Sequence, residues 1–338
     1  MKRYEESVDK IALFILSQYI GTMEQAQKRY PLRWIIGIGL FLVVMGIFQM
    51  NVSKPGKDVI ACPVECAETI NSSAQEPLRI LSLNMLHGYP DFAFLEQRTE
   101  LLSQEIGRLD ADIVLLQEVP WTKEYGQIGQ QLAEWGNFNY AYYRANGNHA
   151  LIGFEEGSVI LSHFPLENIT FTELHPPAGF FENRIVLHAT ALSPHGPIDL
   201  FVTHLTNGKQ TINAAQTEAL LTFVQNEATH PSLVVGDFNA PEDSPQIVAL
   251  ADLWQDGYRL AHPEAVGATC CVSDISNALI KPLQTRIDYL FVVPHAESTL
   301  TIVEIDRVFV EPFETANGRL WLSDHAGLLA TIRIEPQP

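Results

Sequence analysis

Basic side chains are scarce in this sequence. Lysine and arginine together number 21 against 40 aspartates and glutamates, a formal net charge of −19 over 338 residues. The deficit lies entirely downstream: residues 1–76 carry 8 basic and 8 acidic side chains, residues 77–338 carry 13 and 32. So acidic a surface repels nucleic-acid phosphates unless divalent cations intervene, which argues against an electrostatic DNA- or RNA-binding module. Cysteine is rarer still, at Cys62, Cys66, Cys270 and Cys271. A C-x-x-x-C segment plus an adjacent pair lacks zinc-finger spacing. Four cysteines allow three disulfide pairings, and the spacing does not choose among them. No repeat of solenoid type is visible, which excludes a stacked array.

Long hydrophobic runs are also lacking, with one exception. Trp34 to Met50 is 17 residues without a charge, or about 25 Å as a helix, the short end for a membrane span. Lys28, Arg29 and Arg33 precede it, and Lys54 and Lys57 follow it with Asp58. The basic excess on the N-terminal side predicts a single-pass cell-membrane protein, its N-terminus cytoplasmic and its main domain extracytoplasmic. Disulfides persist on that side. The expected division is a cytoplasmic segment 1–33, a transmembrane helix 34–50 in the bilayer, an extracytoplasmic linker 51–76 and a catalytic domain 77–338. The linker is rich in Ser, Pro, Lys, Glu and Asn and has no periodicity. A cleaved signal peptide fits less well, because the apolar run starts late and lacks a small-x-small site. The short apolar segment Ile11 to Leu16 suits a membrane-surface helix or a cytosolic helix contact. No protein partner is evident.

What is present is a core and a pattern. Hydrophobic residues make up 46% of the chain, enough for a sizeable interior. From residue 77 onward strands alternate with helices and with further strands. Residues 92–109 and 214–227 have helical spacing, and 157–161 and 184–191 read as hairpin-like strands. The mixture is neither purely parallel nor purely antiparallel, and it predicts an α/β fold of two packed sheets with helices outside.

The apolar runs end in polar residues. Leu233-Val234-Val235-Gly236 leads into Asp237-Phe238-Asn239, and residues i and i+2 of an extended segment point to the same side. An Asx-type turn is the plainer reading of that segment. Leu78 to Leu83 ends in Asn84, Ile113 to Gln117 in Glu118, and Ile198 to Thr203 in His204. Arg286-Ile287-Asp288-Tyr289 opens another apolar run, and Ser323-Asp324-His325 precedes the last one.

A phosphoester cleaved by water needs such groups. A hard divalent cation takes oxygen ligands and polarises a phosphoryl oxygen. Glu118 is the candidate ligand, with Asn84 or Asp324 in support. His325 can act as base if Asp288 fixes its tautomer, and Asp237 is the alternative base. Asn239 can hold a phosphate oxygen or the nucleophile, and His204 can serve the leaving group or the pentacoordinate charge. Arg184 can contact phosphate, although a surface salt bridge is its plainer reading. His87, His149, His163, His188 and His230 are read as structural.

In this order, these segments resemble the endonuclease/exonuclease/phosphatase superfamily, which includes deoxyribonuclease I and the sphingomyelinases. The matching segments run from Leu83-Asn84 to Ser323-Asp324-His325, within residues 77–334. The resemblance implies a four-layer α/β sandwich of two packed mixed β-sheets flanked by helices, deoxyribonuclease I-like, preceded here by the expected transmembrane helix. It implies Mg²⁺-dependent, or Mn²⁺-dependent, hydrolysis of a phosphoester. By resemblance, Glu118 is the metal ligand with Asn84 beside it, and Asp324 assists. Asp237 and Asn239 orient water and phosphate, Asp288 pairs with His325, and His204 matches the second histidine of the deoxyribonuclease I and sphingomyelinase branches. The expected activity is that of a membrane-tethered phosphodiesterase using metal-activated water on a lipid headgroup or nucleic acid. A nuclease of the same fold is the alternative, and a catalytically inactive phosphate-ligand binding module is the reading from another class. The segment after His325, Ala326-Gly327-Leu328, departs from the family's usual continuation, and Cys270-Cys271 has no family role to carry over.

Overall fold

The computed structural model describes residues 32–52, 54–67, 77–179, 181–276, 283–296, 298–316 and 318–336. The expectations for Ile11 to Leu16, most of segment 1–33 and residues 68–76 of the linker lie outside these residues.

The chain divides into two compact units, residues 1–51 and 52–338. In the first, helix α1 (Leu32–Val52) covers the long apolar run. Its described side chains, from Trp34 to Phe48, are nearly all exposed. Among the described residues no helix is long and apolar enough to cross a membrane. The span expected at 34–50 is therefore not supported. The uncharged stretch by itself, 17 residues or about 25 Å, sits at the short end of the range for a span.

The second unit begins with β1 (Ile60–Cys62), β2 (Leu78–Asn84), α2 (Leu95–Arg108), β3 (Ile113–Thr122), β4 (Gly126–Gln127), α3 (Ile128–Gly136), β5 (Asn139–Asn148), α4 (His149–Ile152) and β6 (Phe154–Ser162). It continues through β7 (Leu166–Leu174), β8 (Arg184–Ser193), β9 (Gly196–His204), α5 (Gln210–Glu227), β10 (Ser232–Asp237), α6 (Pro245–Leu253), β11 (Gln255–Asp256) and α7 (Gly257–Ala261). It closes with β12 (Asp288–Val293), β13 (Ser298–Val308), β14 (Phe313–Thr315), β15 (Gly318–Leu320) and β16 (Gly327–Pro336). Besides a two-stranded β14-β15 ribbon there are two large sheets, one of order β1-β5-β6-β3-β2-β16-β13 with β4 on β3, the other of order β11-β12-β10-β9-β8-β7. Both are mixed, because β2 pairs parallel with β3 and β9 with β10 while their other pairings are antiparallel.

Side-chain alternation builds the layers. On β2 and β3, Ile80, Ile113 and Leu115 enter the same core as Leu200, Val202, Leu233 and Val235 of the other sheet. Their neighbours Leu81, Leu83, Val114 and Leu116 turn outward to Leu102 and Ile106 of α2 and Leu132 of α3. On the far side, Phe201, Val234 and Phe291 meet Leu220 and Val224 of α5 and Ile247 of α6. A strand buried on both faces reads as a continuous apolar run, as these do. The result is the expected four-layer α/β sandwich.

Details differ from expectation. The helix expected from 92 begins at Leu95, because Phe92 and Phe94 have φ of 48° and 54°, outside the helical region. Inside the stretch read as a linker, Ile60–Cys62 pairs with Tyr140–Tyr142 as a sheet edge; three residues are too few to show a period. Cys62 pairs with Cys66, and Cys270 with Cys271.

Candidate active site

Three strands of one sheet deliver a row of functional groups. Asp237 ends β10, with His204 opposite it on parallel β9 and Asp288 opposite it on antiparallel β12. Gly236 permits the closeness of this row: its φ is 143°, and a Cβ there would stand 1.9 Å from the Thr203 carbonyl oxygen.

Asn239 lies beyond the strand with φ 49°, so simple alternation does not place it. Its backbone N–H donates to Asp237 Oδ1 at 2.8 Å, an Asx turn. That turn swings the amide back over the row: Asn239 Nδ2 donates to Asp237 Oδ2 at 3.1 Å and to Leu205 O at 3.0 Å, and lies 3.0 Å from His204 Nε2. The turn and the functional reading are thus one feature.

The other sheet supplies Asn84 at the end of β2. Its Nδ2 donates to Glu118 Oε1 at 3.2 Å and to Asp237 Oδ2 at 3.1 Å, bridging the two sheets. Glu118 does not end its strand, contrary to expectation. β3 runs on to Thr122, and the ladder shifts between Leu116 and Val119, with Glu118 at φ 54°. This bulge turns the carboxylate out of the ladder toward the site. Ser323 Oγ donates to Asn84 O at 2.6 Å and accepts from the His325 N–H at 3.1 Å, tying the last loop to β2. His325 Nδ1 then lies 2.9 Å from Asp288 Oδ2, and its Nε2 lies 3.8 Å from Asp237 Oδ2.

Charge is unevenly distributed here. Burial would raise Glu118, but the nearby imidazoles, His87 foremost, and the hydrogen bond from Asn84 outweigh it and hold the carboxyl down at about 2. Burial pushes Asp237 well above the carboxylate range, with His325 opposing and Asp288 adding to the shift. His325 has the reverse balance: burial disfavours its charge, yet Asp288 and Asp237 raise it well above the usual imidazole value. His204 is held well below that value by burial and then by the charge on Arg184. Burial thus favours the neutral form of His204, and the two flanking carboxylates favour the cationic form of His325.

Two expectations fare differently. Arg184 is buried and ion-pairs with Glu182, while its Nε has no partner. Its surroundings are those of an ion pair at the edge of the site, acting on His204 through its charge. Asp324, expected to assist Glu118, bonds through its carbonyl to Val272 N at 2.9 Å and accepts from Ser323 Oγ at 3.3 Å. Among the described residues, Asp237, Asp288 and His325 bring ligand atoms within 4.8 Å of one another; Cys270 and Cys271 also lie near His325, but their sulfurs are joined to each other and offer no thiolate. Glu118 and Asp324 belong to neither group.

Three residues were not legible as site residues. His87, read as structural, donates its N–H to Glu118 Oε2 at 3.3 Å and sets its Nε2 3.5 Å from the same oxygen. Thr269 Oγ1 accepts the N–H groups of Ile287 and Asp288, both at 3.1 Å, fixing the start of β12. Arg98 is fully buried and donates to Met85 O (2.6 Å), Leu86 O (2.8 Å), Leu322 O (3.1 Å) and Ala93 O (3.2 Å). A signal for Arg98 did exist: it shares the buried stripe of α2 with Leu95, Leu102 and Ile106.

The donors fit a hard divalent cation. Oxygen ligands predominate, and Asp237 is a carboxylate whose burial lacks enough positive charge to ionise it fully.

The Endonuclease/Exonuclease/phosphatase family profile matches residues 81–325, from β2 to His325. No curated protein matches the chain. Among solved structures, a family protein from Leptotrichia buccalis C-1013-b is similar at 16% identity, with TM-score 0.59 over 76% of this chain and 99% of its own. A mannosyl-6-phosphatase from Bacteroides thetaiotaomicron VPI-5482 is similar at 16% identity and TM-score 0.55, over 75% and 99%. Truncated Caenorhabditis elegans TDP2 is similar at 15% identity and TM-score 0.56, over 76% and 97%. At such identities the likeness is one of fold.

Proposed function

The chain belongs to the endonuclease/exonuclease/phosphatase family, and from that premise we propose that it hydrolyses a phosphodiester with water and a divalent cation. The observation that carries this reading is the convergence, from both sheets, of Asn84 on Glu118 and Asp237, and of His325 on Asp288 and Asp237. Glu118 and Asn84 would hold Mg²⁺, which when bound polarises a phosphoryl oxygen and lowers the pKa of water.

The protein's own groups divide the remaining work. Asp237, raised by burial, is the base for the attacking water, and a base is most effective when its pKa approaches the working pH. His325, held cationic by Asp288, donates to a phosphate oxygen and stabilises the charge that grows there. This assignment exchanges the base role first read for His325 with the one held in reserve for Asp237. Asn239 holds the Asp237 carboxylate and the His204 ring in place beside the phosphate. His204 is neutral and serves as a hydrogen-bonding group near the leaving oxygen.

Release of p-nitrophenol from bis(p-nitrophenyl) phosphate tests the reading. The rate should require Mg²⁺, vanish in EDTA and fall about 100-fold in Asn239→Ala, the scale for losing one preorganised donor. It should climb with pH as Asp237 loses its proton, and decline at higher pH as His325 loses its own. Equal, negligible rates for wild type and Asn239→Ala across phosphodiester substrates would sink the enzyme reading.

A further inference from the structure

The loop after β2 carries an aromatic cluster that the chemistry above leaves unused. Tyr89 stacks on Phe154 with ring centroids 4.6 Å apart and planes at 21°. Phe92 supports both rings, at 5.9 Å from Tyr89 and 5.5 Å from Phe154. Phe154 is buried, yet Tyr89 is 53% exposed. One face of Tyr89 is therefore covered by Phe154, and much of the remaining ring meets solvent.

This cluster adjoins the candidate metal ligand. The His87 ring lies 5.1 Å from the Phe154 ring. Its Nδ1 accepts the Tyr89 N–H at 2.9 Å, which leaves Nε2 to face Glu118 Oε2 at 3.5 Å. The aromatic rings thus continue directly from the group that contacts Glu118.

The platform is also preorganised. Arg98 fixes the loop from beneath through Met85 O, Leu86 O and Ala93 O, and Phe92 N donates to Gly88 O at 2.7 Å. A ring held in place before binding spends little conformational entropy on contact.

We propose that Tyr89, backed by Phe154, is a subsite for a planar ring carried by the phosphoester substrate. This rests on the phosphoester-hydrolase reading and narrows its substrate class. Stacking on an aromatic face gives affinity without positive charge, the resource this acidic domain lacks. The ligand is therefore a single phosphoester bearing a nucleobase or aryl group rather than a long polyanion.

Calorimetry on the full chain with Mg²⁺ tests this, using adenosine 5′-monophosphate and ribose 5-phosphate, which share the phosphate and sugar and differ in the ring. The adenosine ligand should bind about tenfold more tightly, within the range for one base stacked on one aromatic side chain. Tyr89→Ala should bring the ratio close to one, and Tyr89→Phe should keep it. Phenyl phosphate, which is all ring and no sugar, should lose affinity in Tyr89→Ala as well. A ratio of one in the wild type, a ratio unchanged in Tyr89→Ala, or failure of both ligands to bind overturns the subsite. Turnover of bis(p-nitrophenyl) phosphate by the same protein is followed in parallel, so loss of the hydrolase reading appears as zero p-nitrophenol release while the affinity comparison stands.

Discussion

Arg98 ties together the loops around the site without contributing to its chemistry. Its guanidinium bonds to carbonyls on both sides of the site, Met85 and Leu86 after β2 and Leu322 before Ser323. Burial lowers it from the usual arginine value to about 10, against the pull of Asp324 and Glu118, so it stays charged at neutral pH. Arg98→Met would leave those carbonyls buried without donors. Each orphaned group costs about 1–3 kcal/mol, so a loss of about 3 kcal/mol is expected in urea unfolding, with a slower p-nitrophenol rate. Arg98→Lys keeps the charge with fewer donors and should recover part of both. A methionine variant as stable and as active as wild type would refute this role.

At the scale of elements, the site depends on how closely β9 and β10 approach. Gly236 has φ 143°, and a Cβ there would overlap the Thr203 carbonyl oxygen. Gly236→Ala must therefore separate the strands or twist them. A cost of about 3 kcal/mol or more is expected from overpacking at a conformation that favours glycine. The His204–Asp237 separation, now 3.5 Å, should widen and activity should fall. An unchanged unfolding midpoint would show that the close approach carries no such constraint. The segment Thr269–Val272 works similarly for the other pair. It bonds to Thr285 on one side and, through Ala326 N and Asp324 O, to the His325 loop on the other, so one short strap holds Asp288 and His325 in register.

For the whole molecule, the decisive fact is that the site draws on both sheets. Asn84 and Glu118 come from one, His204, Asp237 and Asp288 from the other, and His325 from the loop that leads into β16. A cation bound there relieves carboxylate repulsion in a domain of net −19 and ties the sheets together. Mg²⁺ well above its dissociation constant should raise the thermal midpoint by about 3 °C, and Glu118→Gln should reduce the shift. An equal shift in both proteins would place the cation elsewhere. Much of this architecture was legible in the chain. Continuous apolar runs announced strands buried on both faces, and the polar residues closing them supplied the groups that meet at the candidate site, because alternation and strand length are local properties. Other features were not legible. The bulge at Glu118, the turn that folds Asn239 back on Asp237 and the placement of His87 depend on backbone conformations with φ above zero or on neighbours far along the chain. The apolar run at 34–50 could be read for hydropathy, yet hydropathy alone did not make it a span. The sequence by itself determined the layers and the kinds of groups available, since these follow from side-chain period and residue type. The tertiary structure alone decided in which direction each carboxylate and histidine is shifted and which groups meet. Those outcomes depend on burial and on distances between residues up to 239 positions apart.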